Sequence, residues 1–123
     1  HDPHILSNGN VLIFDNGVHR LDDPMPYSRI IEIDPISKDI IWEYSDKPKF
    51  NFFSPYISGA LKLPNKNVMV TEGNFGRIFQ IDLEGNIVWE YISPYYEEDH
   101  LGIESNGIFR VSAYNNKFIE KVL

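Results

Sequence analysis

The chain has 123 residues, 42% of them hydrophobic and 24% charged, a composition that can bury a core and excludes wholesale disorder. Eleven Lys and Arg against 18 Asp and Glu give a formal charge of −7 with no basic run, so binding to a nucleic-acid backbone or an anionic membrane surface is disfavoured. The absence of Cys excludes disulfides, thiolate zinc sites, iron–sulfur clusters and thiol nucleophiles.

Taken in chain order, short β-branched and aromatic runs alternate with turn chemistry. His4–Ser7 and Val11–Asp15 flank the turn Asn8-Gly9-Asn10, and a long polar stretch leads to Arg29–Asp34 and Ile40–Ser45. A second set follows: Gly59–Leu63, the turn Pro64-Asn65-Lys66-Asn67, Val68–Glu72, Arg77–Asp82, the turn Leu83-Glu84-Gly85-Asn86, and Ile87–Ile92. After the polar, aromatic linker Ser93–His100 come two more strand-like runs, Gly107–Ala113 and Lys117–Val122. No segment shows sustained helical periodicity, and no apolar stretch approaches the length of a membrane span.

The two sets are copies. Arg29-Ile30-Ile31-Glu32-Ile33-Asp34 recurs 48 residues on as Arg77-Ile78-Phe79-Gln80-Ile81-Asp82, and Ile40-Ile41-Trp42-Glu43-Tyr44 recurs 47 residues on as Ile87-Val88-Trp89-Glu90-Tyr91. Four strands per repeat at this period predict an all-β fold of β-propeller blades, each a four-stranded antiparallel repeat. The expected boundaries are a blade over 1–46, a blade over 54–94 and a partial blade over 103–123. About two and a half blades make an incomplete propeller, because blades bury their faces only against neighbours. The expectation is therefore a segment of a longer protein, or self-association that closes a ring; the start at His1 rather than Met fits either a removed start or such a segment. Trp42 and Trp89 are expected at equivalent buried positions between blades.

The stretch His1-Asp2-Pro3-His4 through Asn8-Gly9-Asn10 to Phe14-Asp15-Asn16-Gly17 resembles the signature of the arylsulfotransferase-like propeller proteins. Phe53–Ala60, Thr71–Phe79 and Ile108-Phe109-Arg110-Val111 resemble later elements of the same family. The resemblance implies the C-terminal part of a six-bladed bacterial or archaeal protein, periplasmic or extracellular. Such proteins move a sulfuryl group from one phenol to another through a transiently sulfated His, with other His and Arg side chains holding the sulfuryl oxygens.

On that resemblance the catalytic candidates are His1, Arg20 and Arg110, and the substrate-binding candidates are His4, Asn16, His19, Tyr56 and His100. A neutral imidazole can act as nucleophile, and a guanidinium suits sulfuryl oxygens through forked, charge-assisted hydrogen bonds. Each residue has a plainer reading. His1 is a terminal His, Arg20 is a loop Arg paired with Asp22 or Asp23, and Asp15-Asn16-Gly17 is a turn. His19 is solvated, Tyr56 covers a blade edge, and His100 lies in the acidic loop Glu97–His100. Repeat-equivalent Arg29 and Arg77 read as structural ion-pair formers. A His1–Asp2–His4 metal site is a minor alternative, and the preferred reading needs no metal and no cofactor. Its partners are a small aromatic sulfate or phenol and the remainder of the propeller or another copy, with no nucleic acid and no membrane. The rival readings are a non-catalytic propeller fragment that binds a ligand or serves assembly, and a quinoprotein dehydrogenase, which only the Trp spacing suggests.

Overall fold

Alternating side chains and turn-forming Asn, Gly and Asp favour short antiparallel hairpins, and the computed structural model, which describes residues 1–123, contains two such meanders. The first sheet is β1 (His4–Ile5), β2 (Val11–Asp15), β3 (Arg29–Ile33) and β4 (Ile40–Tyr44), paired in that order. The second is β5 (Gly59–Lys62), β6 (Val68–Glu72), β7 (Arg77–Ile81) and β8 (Ile87–Ile92), again in order. The copies agree in detail. Glu32 pairs with Trp42 and Gln80 with Trp89, and the register shifts at the same place in both, beside Ile33 and beside Ile81. Asn10 donates to Glu32 Oε1 at 2.7 Å, and its counterpart Asn67 donates to Gln80 Oε1 at 2.8 Å.

The core lies between the sheets. Leu12, Phe14, Ile30 and Tyr44 of the first sheet and Ala60, Val68, Val70, Phe79 and Ile81 of the second form one buried cluster. Phe52, on the crossover between β4 and β5, completes it, with its ring edge-on to Phe14 at 5.4 Å and to Phe79 at 5.3 Å. Edge-to-face contacts of this kind add to the large apolar burial of each ring. Trp42 packs on this core and its indole N–H reaches across to the Leu83 carbonyl at 3.2 Å, in the β7–β8 turn of the second sheet.

Trp89 departs from expectation. It stacks on Tyr91 at 6.5 Å, but it is 47% exposed and the whole of β8 is exposed. The position is equivalent to that of Trp42; what differs is that no further sheet lies against it. Burial of a sheet face depends on its neighbour, which the strand's own sequence does not supply.

The C-terminal expectations are also corrected. The run 107–113 forms no strand, and the run 117–122 is helical: α1 spans Asn116–Val122. The Asn115 side chain accepts the Phe118 amide at 2.8 Å, capping the helix, and Tyr114 stacks on Phe118 four residues on at 4.9 Å. Such a cap favours a short helix over a strand. Within the polar linker a small hairpin forms from β9 (Glu97–Glu98) and β10 (Glu104–Ser105). The fold is otherwise all-β.

Tyr44 links this packing to pH. Burial, aided by Asp46, pushes its phenol up to about 12, whereas an unfolded Tyr titrates near about 10. The folded state therefore keeps a proton that the unfolded state loses first, and stability falls as pH rises from about 10 to 12. Tyr44→Phe is expected to make the urea midpoint fall less steeply across that window than in the parent. An unchanged slope would contradict the assignment.

Candidate functional site

In each unit an acid ends the second strand and an Arg opens the third. Arg29 donates from Nε to Asp15 Oδ2 at 2.7 Å and from Nη1 to Glu43 Oε2 at 2.8 Å. Arg77 donates from Nη1 to Glu72 Oε2 at 3.0 Å and from Nε to Glu90 Oε2 at 2.9 Å. Burial works against both guanidinium charges, but the facing carboxylates outweigh it and hold both above their ordinary pKa. Burial also pushes the Glu72 carboxyl up, against the pull of Arg77 and of the Phe53 amide. Arg29 and Arg77 are thus ion-pair formers that clamp three strands at one end of each sheet.

In the first unit the same end carries a cleft of about 650 Å³. Its lining includes His1, Asn16, His19 and Arg20 over an apolar floor of Ile13 and Ile31. Asp15-Asn16-Gly17 turns the chain out of β2 into the insertion. Gly17 has φ +78°, and a Cβ there would run into the Tyr27 carbonyl and lie 2.5 Å from Arg20 Nη2, so only glycine fits. Arg20 folds back over this turn. Nη1 donates to Asp15 Oδ2 and Nη2 to the Tyr27 carbonyl, each at 2.5 Å, and the guanidinium lies 4.0 Å from the Tyr27 ring centre. Asp22 stands 3.4 Å from Nε.

Arg20 is thus more than a loop Arg paired with Asp22. It is 14% exposed and ties the insertion to β2. Because Asp15 and Tyr27 engage both terminal nitrogens, its charge reaches the cleft more readily than its donors do.

His1 meets Asn16 directly: Nδ1 lies 2.6 Å from Asn16 Oδ1. The Asn16 amide nitrogen in turn donates to the Ser54 carbonyl at 2.8 Å and to the Ile57 carbonyl at 3.1 Å. The crossover it grips is strained, with Ile57 at φ 50° and Ser58 at φ 83°, left-handed values that cost a non-glycine residue about 1–3 kcal/mol. A buried hydroxyl network holds it. Ser58 Oγ donates to Ser54 Oγ at 2.8 Å, and the Ser54 amide donates to Ser28 Oγ at 2.9 Å. Asp2, also left-handed at φ 53°, packs so closely on Gly59 that a Cβ there would lie 2.5 Å from Asp2 Oδ2.

The other candidates lie outside this cleft. Arg110 is 58% exposed and pairs with Asp2 at 3.3 Å. His4 also pairs with Asp2, at 3.1 Å, and lines a different groove between β1 and β5 with Glu32, Lys62 and Leu83. No cluster of three or more His, Asp or Glu is placed to hold a metal ion there or elsewhere. Tyr56 is 53% exposed beside the cleft residue Pro55, and His100 is exposed at the tip of the β9–β10 hairpin. Neither Asp2 nor the Ser28–Ser54–Ser58 network stands out in the sequence. The Asp15–Glu72 equivalence across the repeat is the signal that could have found the acid ends.

Comparison with known proteins adds one match. The family model described as Arylsulfotransferase (ASST) covers residues 1–78, which takes in the first sheet, the crossover and every residue of the cleft. No curated protein matches the chain.

The geometry gives Arg20 a structural weight that can be measured. Charge-assisted hydrogen bonds to a buried guanidinium are worth about 1.5–3 kcal/mol, so Arg20→Ala is expected to lower unfolding stability by about that amount in urea titration. Arg20→Lys should restore little of it, because a point charge cannot fork between Asp15 and the Tyr27 carbonyl. Parent-like stability of Arg20→Ala would contradict the bridging role.

Proposed function

The chain belongs to the arylsulfotransferase family, and on that premise we propose that it supplies the sulfuryl-accepting part of an aryl-sulfate sulfotransferase, with His1 as the carrier. The observation that supports this reading most is the meeting of His1, Asn16, His19 and Arg20 on one cleft within the matched residues.

In this reading the cleft binds an aryl sulfate with its ring over Ile13 and Ile31. The lone pair of His1 Nε2 attacks sulfur, the bond from sulfur to the aryl oxygen breaks, and the electron pair leaves on the phenolate. The sulfuryl group then rests on His1. An acceptor phenol attacks sulfur, the S–N bond breaks and returns its pair to Nε2, and the acceptor's proton passes to solvent. His19 and the Arg20 charge face the sulfuryl oxygens, where fixed positive groups favour the transition state most. Arg110 joins them only by leaving Asp2.

The four-stranded units are, in this proposal, blades of a β-propeller, set in a periplasmic or extracellular protein. The uncovered face of β8, with Trp89 and Tyr91 exposed and stacked on it, is where a further blade or another copy of the chain packs, as the second sheet packs on Trp42. The same bare face favours a second reading, a non-catalytic module whose role is assembly.

The test is transfer of the sulfuryl group from 4-nitrophenyl sulfate to phenol by the intact protein. His1→Ala is expected to cut turnover by about 10²-fold or more, on the scale of losing a group that acts only in the reaction. Glu84→Gln, on an exposed turn, serves as the control that keeps parent activity. Equal turnover in His1→Ala and parent would remove His1 as the carrier, and no transfer by the parent would leave the assembly reading.

A further inference from the structure

Asn16 offers two chemically different ends, and its surroundings fix which is which. The end that meets Ser54 and Ile57 faces two carbonyl oxygens, at 2.8 and 3.1 Å. Carbonyls only accept, so that end is the NH₂ group. The opposite end is then the amide oxygen, which can only accept. It lies 2.6 Å from His1 Nδ1, and a contact that short between two acceptors would be repulsive. Nδ1 must therefore carry a proton.

We propose that Asn16 is a positioning residue that holds the proton of neutral His1 on Nδ1 and so leaves Nε2 as the nitrogen with the free lone pair. A histidine side chain in water prefers the opposite tautomer, with the proton on Nε2, so the arrangement is imposed by the hydrogen bond to Asn16. The grip extends beyond the amide. Asn16 can present its oxygen to His1 only while its NH₂ is anchored on the crossover, and the crossover keeps its left-handed Ile57 and Ser58 through the Ser28–Ser54–Ser58 hydroxyl network. The purpose of this arrangement rests on the sulfuryl-transfer reading, in which Nε2 attacks sulfur; its geometry does not. When the sulfuryl group is on Nε2, the ring gains positive charge, and the Asn16 oxygen on Nδ1–H stabilises that charge. A carboxylate in its place would bind the proton more tightly but would face the Ser54 and Ile57 carbonyls with no donor to give them. An amide satisfies both sides.

The experiment is ¹⁵N NMR of the intact protein labelled at histidine, recorded above the pH where the imidazoles lose their second proton, with the His1 signals assigned by their loss in His1→Gln. The expected parent spectrum has a protonated Nδ1 and an unprotonated Nε2 for His1. A spectrum with the proton on Nε2 overturns the proposal without any variant. In Asn16→Ala the proton is expected to move mainly to Nε2, with kcat for 4-nitrophenyl sulfate falling by about 10²-fold and KM changing less. Retention of Nδ1–H in Asn16→Ala overturns the proposal, as does a loss of kcat without a change of tautomer. If Asn16→Ala fails to fold, the parent spectrum alone decides. If the parent carries the proton on Nδ1 yet transfers no sulfuryl group, the positioning stands and the transfer reading falls.

Discussion

Phe52 is the constraint on which the rest of the molecule depends. It belongs to neither sheet, yet it fills the space between them, edge-on to Phe14 and Phe79 and fully buried. Losing a ring so placed costs about 3–5 kcal/mol, a large fraction of what holds a domain of this size together. Its position also decides where the crossover runs. The Ser28 amide donates to the Phe52 carbonyl at 2.8 Å, and Ser54, two residues on, enters the hydroxyl network with Ser28 and Ser58. A hydrophobic anchor thereby sets the height and direction of a crossover whose regular structure is limited to the single 3-10 turn Lys49–Asn51.

The cleft inherits its precision from that anchor. Asn16 leaves the end of β2 and closes onto the crossover, and His1 closes onto Asn16, so the imidazole is held through three successive contacts that begin in the core. Arg20 and Arg29 share the Asp15 carboxylate from two sides, which holds the insertion against β2 and forms the cleft's polar wall. Strain collects where the crossover meets this wall, at Ile57 and Ser58, and at Asp2 beside them. Residues in left-handed geometry persist only where their surroundings over-determine them, and here the surroundings are the sheet interface and the Asn16 amide.

Much of the fold was legible because its causes are local or repeated. The Arg29 and Arg77 blocks, the two Trp-Glu-Tyr blocks and the Asn-bearing turns recur, and each reappears in the same register. Trp89 shows the limit of that reading: its sequence matches that of Trp42, but burial depends on a partner sheet that a strand's own pattern cannot provide. The helix Asn116–Val122 does not show in the sequence pattern because seven residues hold too few turns for a helical period to emerge, and its signal lies in the Asn115 cap. In the cleft, His1 and Asn16 lie within the motif and Arg20 just after it, whereas His19 reads from sequence as solvated and is exposed at the cleft's edge. Arg110, His4, Tyr56 and His100 were not separable from them, because sequence order does not say which side chains converge. Asp2 takes both Arg110 and His4 away from the cleft, a pairing that spans nearly the whole chain.

The account's central claim is that the cleft at the end of the first sheet takes a sulfuryl group on His1. Its most direct test is to incubate the intact protein with ³⁵S-labelled 4-nitrophenyl sulfate without an acceptor, quench it in alkali and map the label by peptide mass spectrometry. The account predicts a single alkali-stable, acid-labile adduct on the peptide that contains His1, discharged when phenol is added. A labelled adduct on another residue, or nitrophenol release with no adduct on His1, would contradict it.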